Sequence, residues 1–134
     1  MPVDADAPAV RGMPLLLLRL EGAALLIIAT VLYANTGTGW LFYALLFLVP
    51  DLSFLGYLAG PRVGAIAYNA AHTTLGPIAL ALVGIYAGVS LLIAIALIWA
   101  AHIGIDRMLG YGLKYAAGFG FTHLVRIGRP RPEG

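Results

Sequence analysis

Residues 63–109 read VGAIAYNAAHTTLGPIALALVGIYAGVSLLIAIALIWAAHIGIDRML and are almost continuously apolar over 47 positions. A bilayer has a hydrocarbon core of about 30 Å, which about 20 helical residues cross. This stretch is therefore too long for one membrane crossing and right for two. We place the turn between the two crossings near Tyr86 to Gly88.

Two more apolar segments precede this stretch, from Pro14 to Tyr33 and from Trp40 to Leu58. Turn-forming residues at 35–39 and a Gly-Pro-Arg break at 60–62 separate them from each other and from the long stretch. The sequence thus predicts an all-α fold, a four-transmembrane-helix bundle over residues 14–110. Residues 1–13 are predicted to be a flexible tail. A signal peptide is the alternative for this end, but the apolar run is long enough to span.

The composition excludes a water-soluble monomer, because 61% of the 134 residues are hydrophobic and only 10% are charged. The chain has no cysteine, which excludes disulfides, thiolate metal sites, iron–sulfur clusters and a cysteine nucleophile. Any bound metal would have to rest on histidine and carboxylate ligands.

Basic side chains lie only at one end of each predicted crossing. They lie before or near the start of the first crossing, between the second and the third, and near or after the end of the fourth: Arg11, Arg19, Arg62, Arg107, Lys114, Arg126, Arg129 and Arg131. The other two connections carry no charge. Because lysine and arginine are retained on the cytoplasmic side, both termini are predicted to be cytoplasmic.

The C-terminal segment, residues 111–134, interleaves aromatic and basic residues. Such a mixture is typical of chain lying in the headgroup region of a bilayer. We therefore predict an interfacial segment whose partner is the lipid bilayer. Nucleic-acid binding is the rival interpretation, which direct attachment to a membrane helix disfavours.

Each predicted crossing carries an ionisable group at a similar distance from its cytoplasmic end. Glu21 and Asp51 lie at about 10 Å, His72 at about 15 Å and His102 at about 7 to 10 Å, taking 1.5 Å per residue. A charged side chain facing lipid costs at least about 2.5 to 3.5 kcal/mol. These groups are therefore expected to face one another inside the bundle.

Further polar residues accompany this layer. His102 and Asp106 are four residues apart and share a helix face, while Tyr68 and Asn69 lie one turn before His72. Pro50 and Pro77 each remove a backbone donor near the layer, which is tolerated where the freed backbone lines a cavity. Ordinary helix kinks are the alternative reading of both prolines.

Glycines recur four residues apart at Gly56, Gly60 and Gly64, and again at Gly84 and Gly88. Such spacing lets helix backbones approach closely. It predicts tight packing or a homo-oligomer formed through small-residue helix faces.

Several strings resemble the DUF4260 family of small bacterial membrane proteins. They are Leu20-Glu21-Gly22, residues 50–57, residues 64–69 with His72, residues 101–107, residues 110–115 and Thr122-His123-Leu124. The resemblance covers roughly residues 15 to 127 and departs from the family pattern at Val125 and in residues 116–120. It implies a multi-pass protein of the bacterial inner membrane, and it implies no activity.

One hypothesis for the polar layer is a metal-dependent membrane enzyme. In it, His72, His102 and Asp51 are metal ligands, while Asp51, Asp106 and Glu21 are the catalytic carboxylates. Two histidines with carboxylates suit a divalent metal, zinc, iron or manganese. Tyr68 and Asn69 would position a lipid-like substrate for a hydrolase-like reaction.

Three other hypotheses remain open from the sequence. The same layer could relay cations or protons in a dimeric transporter. His72 and His102 could ligate a b-type haem. The polar groups could also serve as interhelical packing in a structural or accessory membrane subunit.

Overall fold

The computed structural model describes residues 10–113, which form five α-helices and one 3-10 helix and contain no strand. The α-helices are α1 (Gly12–Ala34), α2 (Trp40–Phe47), α3 (Pro61–His72), α4 (Leu75–Ala87) and α5 (Ser90–Leu109). The 3-10 helix covers Val49–Ala59. The predicted all-α fold is confirmed for this part of the chain. The predictions for residues 1–9, for His123 and for the rest of residues 114–134 lie outside the described residues.

Three helical segments are long and apolar enough to cross a membrane: Gly12–Ala34, Trp40–Ala59 and Ser90–Leu109. Helices α3 and α4 are bent by 41° at a short break, and they make a fourth candidate span if they are counted together. The turn predicted near residue 88 is present, because Gly88 ends α4 in the left-handed conformation with φ 68°.

Two predicted helices are interrupted, each near a proline. The second crossing was expected to be one helix, but α2 ends at Phe47 and the chain continues as a 3-10 helix around Pro50. The third is predicted to be one helix that Pro77 loosens or kinks, but α3 ends at His72 and α4 begins at Leu75. Proline lacks an N–H and its ring clashes with the carbonyl four residues earlier, which for Pro77 is that of Thr73.

Small residues let the helices pack closely. Helix α5 packs against α1, α2 and α4, while α3 packs on the 3-10 helix. A Cβ added to Gly22 would lie 2.8 Å from the Gly104 carbonyl oxygen, and one added to Gly104 would lie 2.6 Å from the Leu26 nitrogen. Alanine supplies much of the buried apolar core, whereas leucines such as Leu41 and Leu58 are exposed. This distribution suits a surface that faces lipid.

Three of the regularly spaced glycines face neighbours within the same chain. A Cβ on Gly64 would overlap the Tyr57 ring, one on Gly56 would meet Ala67, and one on Gly84 would meet Leu92. Intrachain packing therefore accounts for these three positions. The predicted homo-oligomer stays a prediction.

Candidate metal centre

Asp51 is positioned by the change of helix type after α2. Pro50 cannot donate a backbone hydrogen bond, and the next residue bonds in 3-10 register, with Asp51 N donating to Leu48 O at 3.0 Å. The Ser53 hydroxyl donates to the Pro50 carbonyl oxygen at 2.7 Å. This local geometry holds the Asp51 carboxylate toward α3 and α5.

His72 is the last residue of α3, and the break that follows it leaves helix-end carbonyls without their usual partners. Two side chains of α5 replace those partners. The Trp99 indole N–H donates to the Ala71 carbonyl at 2.6 Å, and Arg107 Nη2 donates to the His72 carbonyl at 3.2 Å. The break is therefore satisfied by protein, as membrane-embedded backbone requires.

His102 and Asp106 project from the same face of α5, one helical turn apart. Their side chains point at the end of α3 and at the 3-10 helix. Asp106 lies within ion-pair distance of His72, and His102 lies within hydrogen-bond distance of His72 and ion-pair distance of Asp51. Three separate elements thus contribute to one group of four side chains: Asp51, His72, His102 and Asp106.

Five distances between the four ligand atoms are almost equal. His72 Nε2 lies 3.4 Å from Asp51 Oδ1, 3.3 Å from Asp106 Oδ2 and 3.2 Å from His102 Nε2. His102 Nε2 lies 3.2 Å from Asp51 Oδ1 and 3.3 Å from Asp106 Oδ2. All four atoms lie within 4.8 Å of one another.

These five distances match five of the six edges of a tetrahedral metal site, and the sixth, between the Asp51 and Asp106 oxygens, is at most 4.8 Å. Zinc binds nitrogen and oxygen ligands at about 2.0 to 2.2 Å, and ligands at the corners of a tetrahedron of about 2.0 Å radius are about 3.3 Å apart. Charge-assisted hydrogen bonds are shorter, at about 2.7 to 2.9 Å. Each imidazole Nε2 also has three polar neighbours but carries at most one proton. Hydrogen bonding among the four groups therefore fits this arrangement less well than a cation at their centre.

The His72 ring is held in the orientation that a ligand needs. Its Nδ1 lies 2.9 Å from the Tyr68 carbonyl oxygen, which can only accept, so Nδ1 carries a proton and Nε2 of the neutral ring presents a lone pair. The Tyr68 ring stacks on the imidazole with centroids 3.7 Å apart and an angle of 6°. His72 is 3% exposed.

His102 is equally buried, at 3% exposure, but it is held differently. Its Nδ1 is buried and makes no hydrogen bond within the described part of the chain. The ring instead packs edge-on against Phe47, with centroids 5.2 Å apart. Phe47 therefore orients this ring, through packing of its side chain and a polar contact from its backbone.

The two carboxylates differ in exposure. The Asp51 side chain is 38% exposed, whereas that of Asp106 is 16% exposed. Asp106 therefore belongs with the two buried histidines, and Asp51 closes the more open side of the group.

The other predicted site residues lie outside this group. Glu21 is exposed on α1 and lines a separate cavity of 260 Å³ with Thr74 and Arg107. Tyr68 is buried behind His72, and Asn69 is partly buried on α3. The catalytic role given to Glu21 and the substrate contacts given to Tyr68 and Asn69 stay predictions.

Sequence reasoning missed Trp99 and Arg107 as supports of the site. Both lie on α5 near His102, and both donate to carbonyls that the break after His72 leaves free. The available signal was Pro77, since a proline in a membrane helix implies free carbonyls that nearby donors must satisfy.

The fold and the site together define a helical protein with segments long and apolar enough to span a membrane and a His₂Asp₂ group, its histidines buried, that could hold a metal ion. The model of the family described as "Domain of unknown function (DUF4260)" matches residues 15–127, and the chain belongs to that family. No curated protein and no solved structure matches the chain.

Proposed function

We propose that this protein binds one divalent transition metal ion between Asp51, His72, His102 and Asp106. The observation that carries the proposal is the set of five ligand-atom distances, all between 3.2 and 3.4 Å. A divalent cation also neutralises the two carboxylates, which lowers the cost of keeping them among apolar helices.

Zinc is the ion that this ligand set favours. The near-equal distances suit a tetrahedral ion, and zinc takes this geometry with nitrogen and oxygen ligands. Haem ligation by both histidines is disfavoured. Two histidines that ligate one haem bind from opposite sides of the iron, so two metal–nitrogen bonds of about 2.0 Å would hold their nitrogens about 4 Å apart. The Nε2 atoms of the two histidines are only 3.2 Å apart.

A hydrolase-like reaction is the chemistry that we propose for this centre. A divalent ion held by His72, His102 and Asp106 supplies a Lewis acid of the kind that metallohydrolases use. Asp51, which has the more exposed carboxylate, would dissociate from the ion during the reaction, so that water could take its coordination position and give a proton to this carboxylate. Asn69, one turn before His72, would contact a lipid-like substrate.

We further propose that the chain crosses a bacterial inner membrane four times with both termini in the cytoplasm. The uncharged turns at 35–39 and 86–88 and the basic residues at the opposite ends support this orientation. The metal centre would then lie in the cytoplasmic half of the membrane, because His102 is about 10 Å along α5 from its C-terminal end.

The direct test is the metal content of the purified protein. The protein is isolated in detergent through a tag without histidine, incubated with zinc, freed of unbound ion and analysed for metal. We expect about one zinc ion per chain. Loss of a ligand in the Asp106→Asn and His72→Ala variants should weaken zinc retention by more than about 100-fold, since even outer-shell changes cost 10- to 100-fold.

Glu21→Gln is the matched control, because it neutralises a carboxylate that lies outside the four-residue group. This variant should bind zinc as the unchanged protein does. Equal zinc retention by all variants, or none by the unchanged protein with normal helix content, would overturn the proposal.

A further inference from the structure

An apolar cavity of 260 Å³ lies beside the candidate metal centre. Its walls come from the end of α2, the start of the 3-10 helix, the end of α3 and the middle of α5, and they include Val49, Pro50, Ala71, Ile95, Ile98 and Trp99. Ser53 also lines the cavity, but its hydroxyl is engaged by the Pro50 carbonyl. The wall therefore offers almost no group that would bind a polar ligand.

The cavity and the metal centre are built from the same pieces of chain. Pro50 directly precedes Asp51, Ala71 directly precedes His72, and Ile98 lies one turn before His102. A ligand in the cavity would therefore have one end next to the four-residue group.

The cavity extends away from the polar end of the bundle. Ile95 is seven residues before His102, which is about 10 Å along α5 and past the middle of that helix. A hydrocarbon chain that fills it would point into the bilayer while its polar end stays at the metal centre. Amphiphiles in a membrane leaflet have the same orientation.

We propose that this cavity binds one unbranched hydrocarbon chain of a single-chain amphiphile whose polar end reaches the metal centre. An apolar cavity of about 150 Å³ holds benzene, so 260 Å³ holds a chain of roughly ten carbons. The delivery of the polar end to a metal rests on the proposed function, whereas binding of the chain in the cavity does not.

Trp99 provides the reporter, because it lines the cavity and the sequence has only two tryptophans. In a Trp40→Phe background, 10-bromodecanoic acid should quench Trp99 fluorescence in a saturable way. Decanoic acid should compete, and butanoic acid should compete at least about tenfold more weakly. Trp40 in a Trp99→Phe background reports unspecific quenching from the detergent phase, since Trp40 is 54% exposed.

Two variants narrow the cavity, and a third is matched to them. Ala71→Leu and Val49→Phe add bulk to its wall and should weaken saturable quenching at least about tenfold. Ala81→Leu adds the same side chain to another apolar cavity, between α4 and α5, and should leave quenching unchanged. Two results would overturn the inference. One is quenching of Trp99 that never saturates and equals the quenching of Trp40, and the other is saturable quenching that persists in both narrowing variants while their helix content is normal.

Repeating the titration with chelator-treated protein and with the Asp106→Asn variant separates this inference from the proposed function. Saturable quenching in both supports the cavity assignment, even if metal analysis refutes the metal centre. Zinc binding without saturable quenching of Trp99 overturns the cavity assignment and leaves the metal centre intact.

Discussion

At the scale of single residues, the central feature is a set of four side chains that come from three elements and meet at nearly equal distances. The two histidines are buried and Asp106 is nearly so, while the Asp51 side chain is 38% exposed. A buried ligand has no solvent to replace it when it is removed. The two carboxylates should therefore respond differently to the same substitution.

Asp51→Asn is expected to keep measurable zinc binding, whereas Asp106→Asn is expected to lose it. The amide of the first variant lies on the open side of the group, where water can complete the coordination. Zinc affinity measured by competition with a fluorescent chelator distinguishes the two variants. Equal affinities would contradict the different roles assigned to these carboxylates.

Tyr68 supports His72 through ring stacking and through its backbone carbonyl. Tyr68→Phe keeps the stacked ring and should bind zinc as the unchanged protein does. Tyr68→Ala removes the stacked ring but keeps the backbone carbonyl at Nδ1, and it should weaken zinc affinity by about tenfold, the lower end of the cost of losing an orienting partner. The same competition titration measures both, and a large loss in the phenylalanine variant would point to the hydroxyl instead.

At the scale of helices, the sequence predicted an all-helical fold of long apolar segments and the turn at Gly88, because hydropathy and glycine report these directly. The sequence predicted that Pro50 and Pro77 disturb their helices near the site, but it did not predict whether each helix bends, ends or changes type. A single sequence does not reveal whether a proline kinks a helix, as expected at Pro77, or ends it after His72. The 3-10 helix that carries Asp51 was missed for the same reason.

The sequence also predicted the candidate site only in part. Counting residues along each helix placed Asp51, His72 and His102 at a common level, and the i, i+4 spacing added Asp106. Glu21 was placed at this level too, but depth says nothing about rotation around the helix axis. Gly22 and Leu26 lie on the face of α1 that packs on α5, and Glu21, the neighbour of Gly22, is turned about 100° away from it.

The crossing of α1 and α5 depends on two glycines that have no room for a side chain. A Cβ on Gly104 would lie 2.6 Å from a backbone atom of α1, so Gly104→Ala forces the helices apart. We expect the free energy of unfolding to fall by about 1 to 3 kcal/mol, although alanine is the better helix former. Unfolding in mixed detergent micelles measures this change.

Ala24→Leu is the control for that experiment, because Ala24 is exposed on α1 and its larger replacement would face lipid. Its stability should change little. A stabilising effect of Gly104→Ala would mean that the two helices do not touch at this point.

At the scale of the whole molecule, exposed leucines and buried alanines indicate a protein whose solvent is lipid. The bent pair α3 and α4 decides the topology. If the pair crosses the membrane, the chain crosses four times; if it re-enters, the chain crosses three times and the termini lie on opposite sides.

Single cysteines decide between these topologies, because the natural chain has none. We expect Asn35→Cys and Tyr86→Cys to react with a membrane-impermeant maleimide from the periplasmic side, and Arg62→Cys only after the membrane is opened. Tyr86 is 98% exposed and so is accessible to the reagent. Labelling of Tyr86→Cys from the same side as Arg62→Cys would establish the re-entrant arrangement instead.

X-ray absorption at the zinc edge of the loaded, unmodified protein tests the metal centre most directly. We predict four nitrogen or oxygen ligands at about 2.0 to 2.2 Å, with the multiple-scattering signal of two imidazoles. A spectrum of six oxygen ligands without imidazole, or a protein that takes up no zinc, would contradict it.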